Sequence, residues 1–558
     1  MNVKNKRLGD LLVEASLITE EQLIDALQLQ KKLNKKLGEV LIEEGILQEK
    51  QIIEVLEFQL GIPHVVLDKY YINPDIPKLI SEKVARRHIL IPIRIERGKL
   101  VVAMSDPLNI FAMDDIKLIT GYDVEPVIAT RKDVLMAIDQ YYQKASAEKA
   151  LEEFKESYDE IAEEIDEESL AQINNAPVVK LVNSIISQAV KMRASDIHIE
   201  PYERILRVRF RVDGELQENM TPSKSSHSAI VTRIKIMGKM DIAEKRIPQD
   251  GRVEMNVDGR EVDMRISVMP TVYGEKVVIR LLDRSGVIIS KSELGFTPKN
   301  LQVFDQIIKN PFGIILVTGP TGSGKTTTLY AALRELNDVQ KNIITVEDPV
   351  EYRLEGINQS QVNIKAGLTF ASGLRAILRQ DPDIVMIGEI RDAETAQIAV
   401  RAAITGHLVL STVHTNDTAS TIARLVDMGI EPYLISSSVV GIIAQRLVKK
   451  ICTNCKTAYP PSAGEIQLLE LTDGMMLYKG EGCNACNQTG YRGRTSIHEI
   501  MPITKDIKRL IDERSNTEDL RRAAVDQGMT TLRQSCRELV ISGITTVDEL
   551  LRMTYNLD

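Results

Sequence analysis

Apolar residues recur at helical spacing in two stretches near the start of the chain, and the two read as copies of one unit. Arg7-Leu8-Gly9-Asp10-Leu11-Leu12-Val13 lines up with Lys36-Leu37-Gly38-Glu39-Val40-Leu41-Ile42, 29 residues on, and the match continues through Leu23/Ile52, Leu27/Leu56 and Gln30/Gln59. Each copy predicts a short helix, a turn at Ser16 or Gly45, then a longer amphipathic helix starting near Thr19 or Gln48. The result is a small helical domain over 1–60, whose repeated leucines either form its core or frame a binding site. From 61 to 143 the period changes. Runs at 89–93, 100–104 and 124–128 predict strands, with helices near 75–86, 109–118 and 131–142. This α/β module carries no cluster of reactive side chains, and a docking role suits it.

The pattern lapses over 144–175, where acidic residues from Glu148 to Glu168 far outnumber Lys149 and Lys155. Such a stretch reads as a solvated, flexible linker. Order returns with a helix over Ala176-Pro177-Val178, Pro early, whose apolar face runs through Ile185, Ile186, Ala189 and Val190. It opens a lobe over 176–290. Within it, the period-2 run Leu206-Arg207-Val208-Arg209-Phe210-Arg211-Val212 puts Arg207, Arg209 and Arg211 on one strand face. Three like charges there call for anions opposite, either an acidic neighbouring surface or the phosphates of a nucleotide held by an adjacent subunit. Arg265 and Arg280, on later strands, join the same set.

Over 291–558 the strands become continuous apolar runs, the mark of a sheet buried on both faces. Gly313-Ile314-Ile315-Leu316-Val317 feeds Gly319-Pro320-Thr321-Gly322-Ser323-Gly324-Lys325-Thr326, followed by Thr327 and a helix. Glycines let backbone N–H groups close around phosphate oxygens at a helix N-terminus. Lys325 then reaches the β- and γ-phosphates, and the Thr326 hydroxyl ligates Mg²⁺. Two further strands end in acids at the edge where an open α/β sheet binds ligands: Glu347-Asp348-Pro349-Val350-Glu351 and Gly388-Glu389. A carboxylate in that place orders Mg²⁺ or the attacking water. A fourth strand runs from His407 to His414, and His414, past its carboxyl end, is placed to contact a γ-phosphate.

Cys452/Cys455 and Cys483/Cys486 form two C-x-x-C pairs with 27 residues between them, inside a module at 449–490. Each pair is a knuckle able to present two thiolates to a tetrahedral Zn²⁺, and four sulfur ligands leave no open position, so the metal is structural. Cys536 stands apart as a core residue. The 558 residues are 43% apolar and 27% charged, enough for about three to five well-packed domains. The net charge of −9, the 4% aromatic content and the lack of tryptophan argue against nucleic acid as a partner. No run of about 18 apolar residues exists and the basic start lacks a signal-peptide core, so membrane contact is expected only through partners.

Taken in order, G-P-T-G-S-G-K-T, I-T-V-E-D-P-V-E, D-P-D-I-V-M-I-G-E-I-R-D and the two-histidine strand resemble the ATPases that power type II secretion and type IV pili. The resemblance implies a multidomain α/β protein. A RecA-like P-loop core follows an α/β, PAS-like lobe, an α/β N-terminal module and a helical repeat domain, and a zinc-binding insertion interrupts the core. It also implies a cytoplasmic homohexamer that hydrolyses ATP and works an inner-membrane platform protein, alongside other cytoplasmic components of a pilus machine. Within it, Glu389 is the principal catalytic or Mg²⁺-ordering glutamate and Glu351 its companion. Leu294-Gly295-Phe296 matches the segment packed on adenine, and the arginines of 176–290 serve a neighbour's nucleotide. The zinc module and the long N-terminal half point to pilus assembly rather than retraction, with type II secretion the alternative of the same chemistry and a non-hydrolysing, nucleotide-responsive scaffold the alternative of another class.

The repeats resemble the cyclic di-GMP-binding N-terminal domain of some of these ATPases. There Arg7, Leu8, Gly9, Leu12 and Gln30, with Lys36, Leu37, Gly38, Leu41 and Gln59, would line the ligand. Ser16 stands where the first motif has Gly. Lys36 stands where the second has Arg, keeping the charge but not the planar fork.

Overall fold

A computed structural model describes residues 8–15, 17–33, 37–47, 51, 53–55, 57, 61–67, 70, 72, 73, 75–138, 141, 142, 176–283, 291–472 and 474–554. The acidic stretch 144–175, and Arg7, Ser16, Lys36, Gln48, Ile52, Leu56 and Gln59 of the repeats, lie outside them.

The described parts of the repeats form helices Leu8–Glu14, Glu20–Leu33 and Leu37–Glu43, the short helix of each copy and the long helix of the first. Thr19 starts the second by accepting from Gln22 N at 3.2 Å, while Gln22 Oε1 accepts from Thr19 N at 2.9 Å. Leu12 and Leu41 are fully buried together. A side chain at Gly9 would meet Leu23 at 2.7 Å, so the repeated glycine there serves helix packing. Leu37 and Gly38 are half-buried, and so is Gln30.

The α/β module holds β1 (Leu90–Glu96), β2 (Lys99–Met104) and β3 (Asp123–Ile128), β1 antiparallel and β3 parallel to the central β2. The single helix expected near 75–86 is instead two pieces. A 3₁₀ turn over Pro77–Leu79 ends at the extended Ile80, and Ser81 caps a new helix, Glu82–His88, by accepting from Val84 N.

The next lobe is a six-stranded antiparallel sheet of β4 (Asp196–Pro201), β5 (Leu206–Val212), β6 (Glu215–Met220), β7 (Gln249–Val257), β8 (Arg260–Thr271) and β9 (Gly274–Asp283). Its order is β6-β5-β4-β9-β8-β7. Helices Ala176–Lys191 and His227–Met237 cover one face, burying Leu181, Ile185, Ile197, Val208, Phe210 and Ile234 in one cluster. The arginines of β5 fall on the other face.

The motor sheet runs β12-β11-β13-β14-β10-β15-β18, from β10 (Gly313–Thr318), β11 (Ile343–Glu347), β12 (Asn358–Gln361), β13 (Ile384–Ile387), β14 (Leu408–Val413), β15 (Val439–Ile451) and β18 (Tyr491–Pro502). All neighbours are parallel except β15 and β18. Ile314 and Leu316 pack into one core and Ile315 and Val317 into another, so both faces are covered and the strands read as unbroken apolar runs. Between β15 and β18 lies the hairpin of β16 (Lys456–Tyr459) and β17 (Leu477–Gly480), which carries the cysteines. Here Gly480 and Gly490 approach so closely that a Cβ on Gly480 would lie 2.0 Å from Gly490 O.

Among the described residues, side chains of the lobe meet the motor around Arg265 and around the β5–β6 turn. Arg265 on β8 donates to Glu351 Oε2 at 3.2 Å and to Val350 O at 3.4 Å. The β5–β6 turn supplies Glu215 to Lys449 (2.7 Å) and Arg552 (3.0 Å), and Asp213 to Gly493 N (2.8 Å).

Candidate nucleotide site and cysteine cluster

Because β10 lies inside a parallel sheet, between β14 and β15, its carboxyl end falls on the same edge as those of β14, β13 and β11. The loop 319–324 turns there into the helix Lys325–Leu336. Positive φ at Gly319, Gly322 and Gly324 (150°, 80° and 88°) sets the curve, and a Cβ at Gly319 would lie 2.5 Å from Gln445 O. Gln445 braces the loop: its Nε2 donates to Ser323 O at 2.9 Å and its Oε1 accepts from Thr328 Oγ1 at 2.6 Å. Pro320, Thr321 and Gly322 are exposed, Thr326 and Thr327 half-buried. Lys325 Nζ donates to Gly319 O (2.8 Å) and Pro320 O (3.1 Å). Burial, opposed by Glu389 and aided by Arg446, brings its ammonium down to about 8.

Glu389 follows β13 and is nearly buried, at 9% exposed. Arg391 Nη2 lies 2.5 Å from one oxygen and His414 Nε2 3.4 Å from the other. The sequence-derived trio Lys325, Glu389 and His414 is thus brought together. Gly388 precedes Glu389 where a Cβ would lie 3.3 Å from Glu347 Cα, which leaves little room for a carboxylate. His407, by contrast, is structural, with Nδ1 2.9 Å from Ala402 O.

Glu347 does not face the loop. Both its oxygens are engaged in the core, by Tyr330 Oη, Thr345 Oγ1 (2.5 Å) and Gln359 Nε2 (3.1 Å), which corrects its expected place beside the nucleotide. Asp348 is exposed. Tyr330 Oη also accepts from Glu351 N at 3.3 Å, so a side chain on the phosphate-loop helix fixes the backbone of Glu351.

The arginine stripe is answered within its own lobe. Glu200 on β4, 5% exposed, receives Arg209 (2.8 Å), Lys276 (3.0 Å) and Arg207 (3.4 Å). Burial would raise its carboxyl, but Arg209 and Lys276 hold it down at about 2. Asp196 takes Arg211 (3.5 Å) and Arg280 (3.2 Å). The anions opposite Arg207, Arg209 and Arg211 are therefore strand neighbours. Arg265 alone of the five reaches the motor, and it does so within one chain.

Leu294-Gly295-Phe296 is fastened to β18: Ser496 Oγ donates to Leu294 O, and Phe296 stacks on His498 at 3.9 Å. His498 is 1% exposed with Nε2 unpartnered, and burial lowers it to about 3.

Cys452, Cys455, Cys483 and Cys486 are all buried, with sulfurs within 4.8 Å of one another. Three Sγ···Sγ separations are 3.7 to 3.8 Å. A regular tetrahedron with Zn–S of about 2.3 Å has edges of about 3.8 Å, so the donor set fits Zn²⁺. Burial works against the Cys486 thiolate, yet the N–H groups of Cys483 and Gly490, at 3.2 and 3.3 Å, outweigh it and lower that thiol.

Sequence reasoning missed Gln445, Tyr330, Arg391 and Arg446. Gln445-Arg446 left a trace, a polar pair inside the apolar run of β15. Tyr330 left none, because an aromatic at helical spacing looks like any core residue.

A phosphate loop after an interior strand of a parallel sheet, with a glutamate and a histidine at the ends of neighbouring strands, defines a P-loop ATPase with an added antiparallel lobe. The model of the type II/IV secretion system protein family matches residues 171–552, and the chain belongs to that family. A second model, of the MshEN domain, matches 60–148, the α/β module, to which the sequence pattern alone gives only a docking role. The chain is 45% identical over 563 residues to the type IV pilus assembly ATPase PilB of Myxococcus xanthus, covering 98% of this chain and 99% of that one. It is 52% identical over 381 residues to type II secretion system protein E of Pectobacterium carotovorum, covering 68% and 76%. Among solved structures, the ATPase DotB of Legionella pneumophila superposes with a TM-score of 0.51 at 21% identity, over 67% of this chain and 95% of that one, a likeness of fold.

Proposed function

We propose that this chain is the ATPase that drives type IV pilus assembly. The observation that carries this reading is the likeness to a pilus assembly ATPase along nearly the whole chain, N-terminal half included. Lys325 and the loop N–H groups bind the polyphosphate, with Thr326 on a Mg²⁺ ion. Glu389 orders the attacking water or the metal, His414 meets the γ-phosphate, and Glu351, whose N–H is bonded to Tyr330 and whose carboxylate meets Arg265, is the companion of Glu389. Leu294-Gly295-Phe296 takes the adenine. The protein acts as a homohexamer at the cytoplasmic face of the inner membrane, on a platform protein and without contact to nucleic acid. No helix among the described residues is long and apolar enough to cross a membrane, and membrane contact is assigned to partners. Cyclic di-GMP is the ligand of the N-terminal half, a reading supported by the MshEN match and removed if calorimetric titration of the full chain gives no heat.

Glu389→Gln tests the catalytic assignment, with ATP still bound and phosphate release lowered at least a hundredfold; equal release rates would refute it. Type II secretion remains the second reading, favoured by the higher identity over the motor alone. Deleting the gene separates the two: surface filaments are lost if it is the pilus motor, and exported enzymes are retained in the cell if it is the secretion motor.

A further inference from the structure

Among the charged groups around the phosphate loop, one is buried without a counter-charge. Arg446 on β15 is 9% exposed. Its guanidinium donates only to neutral oxygens: Gln445 O at 3.3 Å, Asn416 O at 3.0 Å and Asn416 Oδ1 at 3.2 Å. The two carboxylates whose field it feels, Asp417 and Glu499, are engaged elsewhere. Asp417 pairs with Arg521 at 2.7 Å, and Glu499 accepts from Thr418 N, Thr418 Oγ1 and Leu532 N. Among the described residues no carboxylate forms an ion pair with Arg446. Arg207, Arg209, Arg211, Arg265 and Arg280 of the N-terminal lobe differ in this respect, since each of these five has Glu200, Asp196 or Glu351 beside it.

A buried cation is costly unless an anion meets it. The place where Arg446 sits identifies the class of anion. Its Nη1 is 3.1 Å from where a Cβ of Gly319 would be, the position that only glycine leaves open at the start of the phosphate loop. The same point is 2.6 Å from Ser323 Oγ, a buried hydroxyl of that loop with no hydrogen-bond partner. Lys325 is near enough to feel the guanidinium's field. A guanidinium, an ammonium and an unsatisfied hydroxyl thus converge on one loop, and the ligand chemistry that answers all three is a polyphosphate.

We propose that Arg446 is a second phosphate-directed cation of the nucleotide site. Rooted on β15, on the other side of β10 from β14 and β13, it adds positive charge along the loop. Arg446 binds and positions; it does not take part in the bond-making step. This inference rests on the reading of the chain as an ATPase.

The test is calorimetric titration of the full-length protein with ADP and Mg²⁺, on wild type, Arg446→Gln, Arg446→Lys and Asn416→Ala. Loss of a charged hydrogen-bond donor predicts at least about tenfold weaker binding in Arg446→Gln. Arg446→Lys should recover most of it. Asn416→Ala, which removes only one neutral acceptor, should stay within about threefold of wild type. Arg446→Gln binding ADP as wild type does, Arg446→Lys recovering none of the loss, or Asn416→Ala as damaged as Arg446→Gln, overturns the proposal. If Arg446→Gln does not fold, Arg446→His decides, since its affinity relative to wild type should fall from pH 6 to pH 8 as the imidazolium discharges; a constant ratio overturns the proposal. Wild type that binds no ADP overturns the ATPase reading itself, an outcome distinct from all of these.

Discussion

Nucleotide binding should weaken at a pH where an ordinary lysine is still almost fully charged. Burial against the loop is the main reason, Glu389 opposes it and Arg446 adds to it, and together they bring Lys325 from 10.5 to about 8. The sign follows from which form binds. The ammonium meets the phosphates, a bound polyphosphate favours the ammonium, and so affinity is at its full value below about pH 8 and is lost as pH rises through it. With a value of about 8, the charged fraction falls roughly eightfold between pH 7.5 and 9, whereas an ordinary lysine loses almost none of it. Lys325 is only half-buried, and water screens part of the effect, so the expected loss is about three- to eightfold. Titration calorimetry with ADP at constant ionic strength, in half-unit steps from pH 7 to 9.5, measures it. Lys325→Arg is the control, because a guanidinium keeps its charge and its curve should be flat even if weaker. A wild-type affinity that holds constant to pH 9.5 would refute the reasoning.

Three further outcomes are expected. Tyr330→Phe removes the donor to the buried Glu347 and the acceptor of Glu351 N–H; stability should fall by about 1–3 kcal/mol, and kcat should drop while the KM for ATP stays near wild type, as steady-state kinetics would show. His498 is held neutral by burial, at about 3 in the folded protein against 6.5 when exposed. Its contribution is therefore fully present above pH 6.5 and lost as pH falls, by about 2 kcal/mol at pH 5; the melting temperature of His498→Phe should be less sensitive to acid than that of wild type, and equal acid sensitivity would remove the explanation. Chelation of zinc should expose four thiols to a thiol reagent while Cys536, 0% exposed, stays protected. Four reactive thiols in untreated protein that contains no metal would contradict a zinc site.

The motor was legible wherever the signal is local. Unbroken apolar runs gave the strands of a sheet buried on both faces, the glycines of 319–324 gave the loop, and the paired cysteines gave their cluster. The helix expected near 75–86 failed at its middle because Ser81 offers a better start than continuation through Ile80 does. Long-range pairing was not legible. Alternation put Arg207, Arg209 and Arg211 on one face, but only the antiparallel register of β4 with β5 sets Glu200 opposite Arg207 and Asp196 opposite Arg211. Glu347 misled for a related reason: a strand-end acid looks the same in sequence whether it turns toward the ligand or, as here, toward Tyr330 on the helix behind.

What joins lobe to motor is weak in a way that suits a machine. Arg265 and Glu351 keep 25% and 35% of their side-chain surface, and a pair so open to water contributes at most about 1 kcal/mol. Glu215, 47% exposed, is shared by Arg552, 56% exposed, and by Lys449, 12% exposed, a second contact made by ion pairing. Neither contact can hold the lobe against a competing charge. Yet the Arg265 contact is rigidly connected on the motor side, since Glu351 N–H is fixed by Tyr330, on the same helix as Lys325. A change in charge or position at the loop therefore reaches Arg265 through one helix and one hydroxyl, and Arg265 can exchange Glu351 for another anion at small cost. Strong anchoring of Glu351 within the motor and weak ion pairing to the lobe are what a readout of phosphate chemistry at 319–326 as lobe movement would require.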